Sequence, residues 1–196
     1  GGRGQFGHVW IEFTPLDSFE EEYEFVDNTF GGSVPKQYVP AVDKGLQEAL
    51  EEGVLAGYPM VGVKAILYDG SFHPVDSSEM AFKVAASLAY KKGIAEARPV
   101  LLEPIMDYTI IVPNNYMGDI IGDLNKRRGR VLGMEPVDGV QHIKAQVPMA
   151  EMFKYATDLR SMTQGRGSFS FKFSHYEEVP SPQSEKVIEE ARESNN

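Results

Sequence analysis

No cysteine occurs in the 196 residues, so the chain has no disulfide framework, thiolate nucleophile or thiolate metal site. Long apolar runs are missing too. Nothing approaches the roughly 20 residues a bilayer crossing needs, and Gly1-Gly2-Arg3-Gly4 lacks the charge and apolar stretch of a signal peptide. A cytoplasmic protein that does not engage membranes is the expectation. No G-x-x-x-x-G-K-[ST] phosphate loop is present, so this stretch alone is not expected to hydrolyse a nucleotide. The four histidines, His8, His73, His142 and His175, include no i,i+4 pair, which excludes a helical zinc motif. Positive charge is in deficit: 19 Lys+Arg face 29 Asp+Glu, a formal net charge of −10. A start at Gly1 without Met suggests a piece of something longer.

Hydrophobic residues make up 42%, enough for a folded core. Charge divides the chain: residues 1–97 carry 7 basic and 15 acidic groups, residues 98–180 carry 10 of each, and residues 181–196 carry 2 and 4. With Pro99 disfavouring helix at Arg98, this suggests one domain over 1–98, a second over 99–180, and a tail over 181–196.

In the first domain, alternation predicts strands over His8–Phe13 and Tyr23–Asp27, joined through Glu20-Glu21-Glu22, and a third over Met60–Leu67. Pro35–Glu52 reads as a helix ended by Gly53. Asp76-Ser77-Ser78-Glu79 has capping-box spacing. The helix it opens is expected to stop at Gly93, with Met80, Val84, Ala85, Leu88 and Ala89 on its buried stripe. In the second domain a strand (100–112), a helix (114–128), two strands joined at Asp138-Gly139 (130–147), a helix (149–162) and a strand (168–176) follow. That order, βαββαβ, is ferredoxin-like and makes the chain α+β. Pro180–Pro182 reads as a hinge before a short helix over Glu185–Glu193.

Gly2-Arg3-Gly4-Gln5-Phe6-Gly7 matches the dinucleotide fingerprint letter for letter, but it opens a strand instead of leaving one, so a bare loop able to approach a large partner is the better reading. Ser71-Phe72-His73-Pro74 is a tight loop whose imidazole can donate to phosphate or stack on a base, or sit idle. Lys126, Arg127, Arg128 and Arg130 form the densest basic cluster, which Arg160 and Arg166 can extend. They either complement a helix C-terminus, with Asp123 and Arg127 paired, or touch phosphates. Glu20-Glu21-Glu22 and Glu51-Glu52 have no spaced partner that would make them catalytic, and read as solvated surface.

Gly1-Gly2-Arg3-Gly4-Gln5-Phe6-Gly7-His8-Val9, with Pro40-Ala41-Val42-Asp43-Lys44-Gly45, Leu55-Ala56-Gly57-Tyr58-Pro59 and Val75-Asp76-Ser77-Ser78-Glu79, resembles the fourth domain of bacterial elongation factor G. Leu102-Glu103-Pro104-Ile105-Met106, Arg127-Arg128-Gly129, Glu151-Met152-Phe153 and Leu159-Arg160-Ser161 resemble its fifth. The resemblance implies a first domain of the ribosomal protein S5 domain 2 type, lacking its first strand, a ferredoxin-like second, and a C-terminal helix packed toward the first. It implies a monomeric ribosome-binding module that promotes tRNA–mRNA translocation, with GTP and Mg held in an upstream G domain and no cofactor or catalytic group here. Gly1, Gly2, Arg3, Gly4, Gln5, Ser71, Phe72, His73 and Pro74 would form the tip that enters the decoding region beside 16S rRNA, tRNA and mRNA. His73 stands at the position that eukaryotic counterparts modify to diphthamide. Lys126, Arg127, Arg128, Arg130, Arg160 and Arg166 would face 23S rRNA at the stalk base and sarcin-ricin loop. Phe72 and Pro74 stand where the housekeeping factor usually has Tyr and Asp, which resembles a paralogous branch. A recycling or ribosomal-protection role is the alternative within that class, and a ferredoxin-like small-molecule sensor the alternative outside it.

Overall fold

The computed structural model describes residues 3–18 and 21–196. The chain forms two compact units, one running through Val100 and including Ser181–Asn196, the other spanning Leu101–Pro180.

Unit one is built on β1 (His8–Pro15), β2 (Tyr23–Asp27) and β3 (Val63–Ser71), flanked in sequence by α1 (Val39–Leu50) and α2 (Glu79–Glu96). Although β1 and β2 are neighbours in the chain, β3 lies between them, antiparallel to β1 and parallel to β2. A parallel pair needs a crossover, and α1 supplies it. Val9, Ile11 and Phe13 of β1 turn toward a core of Val42, Leu46, Leu67, Phe82, Ala86 and Tyr90, while His8, Trp10 and Glu12 alternate onto the other face. Gly45 sets how closely the helices meet: a Cβ there would lie 2.5 Å from the Lys83 carbonyl oxygen.

Four expectations are corrected here. Helix α1 begins at Val39, not Pro35, because Pro40 occupies its first turn, where a missing N–H costs nothing. Helix α2 is capped by Ser78, whose Oγ accepts from the Ala81 N–H, so the Asp76–Glu79 box does not form. It also passes through Gly93, whose bare Cα faces the Phe13 ring, and buries Phe82, Ala86, Tyr90 and Ile94; Met80, Val84 and Leu88 are exposed.

Unit two consists of β4 (Leu102–Pro113), α3 (Met117–Lys126), β5 (Arg130–Val137), β6 (Val140–Pro148), α4 (Tyr155–Thr163) and β7 (Ser168–Glu178). The sheet runs β5-β6-β4-β7, all antiparallel, which is the ferredoxin-like arrangement. Asp138 (φ 47°) and Gly139 (φ 86°) make the two-residue turn between β5 and β6. Tyr108, Ile110, Ile143 and Val147 from one face of the sheet enclose a core with Ile120, Leu124, Tyr155 and Leu159. The expected helix over 149–162 is broken: a 3-10 turn at Met149–Glu151 precedes α4, and Lys154 takes φ 58° between them. Helix α5 (Ser181–Ser194) has Pro182 in its opening turn, so that proline starts a helix where a hinge was expected.

Candidate nucleic-acid interface

At the end of β3 the chain turns sharply before α2, and hydrogen bonds fix that turn. The His73 N–H donates to Ser77 Oγ at 2.8 Å, and the Ser77 N–H donates back to the His73 carbonyl at 3.1 Å. His73 Nδ1 accepts from the N–H groups of Val75 (3.2 Å) and Asp76 (3.1 Å). A nitrogen accepting two amide protons carries none of its own, so the neutral ring is the Nε2–H tautomer. The half-exposed imidazole therefore presents a donor outward on a backbone-built mount. Asp76 Oδ2 lies 3.4 Å from the same Nδ1.

The glycine loop is bound to this turn. Phe6 donates its N–H to the Asp76 carbonyl (2.8 Å), and Ser78 Oγ donates to the Gly4 carbonyl (2.5 Å) while also capping α2. Gly4 has φ +74°, and a Cβ on Gly7 would come within 2.8 Å of the Ala81 carbonyl oxygen. The loops predicted separately, Arg3–Gln5 and Ser71–Pro74, thus meet at one end of unit one. Arg3, Gln5, Phe72, His73 and Pro74 are exposed, while Ser71 is half-buried with its Oγ 2.9 Å from His8 Nδ1. Gly1 and Gly2 lie outside the described residues. Gly7→Ala should push this loop off the first turn of α2. Amide exchange at Phe6 rising by about ten-fold, with the core of unit one unchanged, is the expected result.

In unit two the basic cluster divides by geometry. Arg127 donates to Asp123 (2.9 Å), Asp158 (2.5 Å) and the Glu151 carbonyl (2.8 Å), and its guanidinium lies over the Tyr155 ring. Burial pulls its pKa down, but the hydrogen bonds to Asp123 and Asp158 outweigh this and leave it raised. Arg128 grips both oxygens of Glu103 (2.8 and 3.1 Å) and one of Glu151 (2.9 Å). Its pKa is raised, chiefly by the hydrogen bonds to Glu103. These two side chains hold α3 and its C-terminal turn to β4 and to the start of α4.

Lys126, Arg130, Arg160 and Arg166 are exposed; Arg130 donates to Gln146 (2.7 Å), and the other three have no ion pair among the described residues. The turn carrying Arg166 is closed by a buried side chain. Buried Thr163 donates to the Leu159 carbonyl and accepts from the Gly167 N–H, closing the loop around Gly165. Sequence reasoning missed Thr163, Ser77, Glu103 and Asp158. Only Glu103 carried a signal, a carboxylate in an apolar strand.

Comparison with known proteins decides the family. A profile described as "Elongation factor G, domain IV" matches residues 1–98, and one described as "Elongation factor G C-terminus" matches residues 100–187. The chain belongs to the elongation factor G family. It is also similar to a crystal structure of a protein from Thermus thermophilus, at 42% identity and a TM-score of 0.85 over 98% of this chain. The chain spans 30% of the length of that protein. The regions matched within the elongation factor G family are translation-factor domains, with no G domain among them. Among the described residues no helix is long and apolar enough to cross a membrane, and no group of three or more acidic or histidine side chains suited to a metal occurs.

Proposed function

We propose that this chain is the ribosome-engaging end of a translational GTPase and promotes tRNA–mRNA translocation by occupying the site the tRNA has left. The observation that carries this reading is the joined tip: the glycine loop and the His73 turn, both hydrogen-bonded at the capped start of α2, with the His73 Nε2–H as the free donor. Such a device breaks no bond. It raises the barrier to reverse movement by excluded volume and a few directed hydrogen bonds, which requires that it be stiff. The acidic body of unit one discourages adhesion to RNA elsewhere, confining contact to the tip. Of the six cations in the cluster, the exposed Lys126, Arg130, Arg160 and Arg166 are the candidates to meet rRNA phosphates, while Arg127 and Arg128 are taken up by carboxylates of unit two.

In the full-length protein, His73→Ala should slow single-round translocation by roughly ten-fold, the equivalent of one hydrogen bond to a charged group, while ribosome-dependent GTP hydrolysis stays near normal. Unchanged tRNA movement would remove His73 from the mechanism. A subunit-splitting assay and a drug-rescue assay separate translocation from recycling and ribosomal protection.

A further inference from the structure

The sheet of unit one has one face packed by α1 and α2 and one left open, and the open face carries an aromatic group with an acidic border. Trp10, the chain's single tryptophan, is 51% exposed there. The His8 ring meets it edge-on at 5.6 Å and 69°, and Tyr68, 44% exposed, lies on its other side at 6.5 Å and 41°. Tyr68 reaches this position because the β1–β3 register slips between Trp10 and Ile11, leaving Tyr68 unpaired in the bulge. The carboxylates beside these rings are Asp69, directly across from Trp10 in the register, and Glu12, two residues along the same face of β1. Glu12 has no ion pair or hydrogen bond among the described residues, and Asp69 uses one oxygen to accept the Gly70 N–H at 2.8 Å. Both carboxylates keep acceptor capacity free.

We propose that this patch binds an arginine side chain presented by a basic segment of a partner protein. A guanidinium is flat and cationic: its face stacks on an indole, the best of the aromatic partners, and its N–H groups donate to carboxylates at the rim. The rim decides between partners. Two open carboxylates, in a region where 15 acidic groups outnumber 7 basic ones, repel a phosphate backbone and attract a polycation. An aliphatic helix would leave both carboxylates desolvated and unpaired. The inference concerns the strand face, apart from the His73 turn, and holds whether or not the tip enters a ribosome.

Because Trp10 is the sole indole, its fluorescence reports on this patch alone. Titrating the 196-residue chain with a hexa-arginine peptide should perturb the emission and saturate, with affinity falling as salt rises. A hexalysine peptide, or one with citrulline in place of arginine, should bind several-fold more weakly. With the arginine peptide labelled and binding read by anisotropy, Trp10→Ala should weaken it roughly three- to ten-fold and Trp10→Phe less. The paired change Glu12→Gln with Asp69→Asn should weaken it similarly, without loss of circular dichroism. Equal binding of arginine and lysine peptides with unaltered emission overturns the proposal. Saturable quenching by a single-stranded oligocytidine in place of the peptide also overturns it, and assigns the patch to an unpaired base.

Discussion

Arg128→Ala is expected to destabilise unit two by about 3–5 kcal/mol, because it strands the Glu103 carboxylate in a strand position that is 7% exposed. In a unit of this size that lowers the melting temperature by roughly 20–30 °C, read by calorimetry or by near-UV dichroism. The mechanism can be separated from its alternatives. Arg128 has φ 57°, a strained value for a residue with a side chain, so Arg128→Gly relieves the backbone while removing the same three hydrogen bonds. If the ion pair governs, Arg128→Gly should remain strongly destabilised; if backbone strain governs, it should approach the unmodified protein. Replacing both partners, Arg128→Met with Glu103→Leu, should recover most of the loss, since an apolar pair of similar volume leaves no charge uncompensated. Lys126→Ala, two residues away and solvated, should change stability by no more than about 0.5 kcal/mol.

That contrast shows what can be read from a linear cluster of charge. Five residues from Lys126 to Arg130 contain four cations, and nothing local distinguishes those that hold the fold from those that face outward. The distinction is made by Glu103, Glu151 and Asp158, which lie 23 to 31 residues away and arrive through β4 and the start of α4. The Asp123–Arg127 pair was legible because it is local to one helical turn. The same rule explains the strands. Alternation placed β1, β2 and β7 to within a few residues, and Asp138-Gly139 announced its own turn, since both signals need only nearest neighbours. At the tip, Asp76, Ser77 and Ser78 are all good helix caps; Ser77 Oγ is taken by the His73 N–H, and Ser78, which also donates to the Gly4 carbonyl, caps the helix. The two tip loops were legible as loops from their own residues and as one tip only through family resemblance, and the hydrogen bonds that bind them were visible only in three dimensions.

Helix α2 offers the sharpest test of this reasoning, because its sequence is apolar on two sides and its periodicity accommodates either burial. Leu88→Ala should be nearly neutral, within about 0.5 kcal/mol, since Leu88 is 62% exposed. Phe82→Ala should cost about 3–5 kcal/mol, as a fully buried ring leaves a cavity that the two-helix layer cannot close. What selects this face is shape: Phe82 stacks on Tyr38 at 4.8 Å, Tyr90 meets Phe13 edge-on, and Ala86 lies opposite Gly45, where only a small residue fits. The consequence reaches the tip, because Tyr38 also donates its hydroxyl to the Ser77 carbonyl, and Ser77 holds the His73 backbone. Phe82→Ala should therefore lower the melting temperature of unit one and also raise amide exchange at His73 and Ser77 under conditions where the unit remains folded. Loss of stability without the change at the turn would show that the mount for His73 is built by its own local hydrogen bonds and owes nothing to the core. The opposite ranking, Leu88→Ala costly and Phe82→Ala mild, would rotate α2 by nearly half a turn and return it to the face that its amino-acid pattern first suggested.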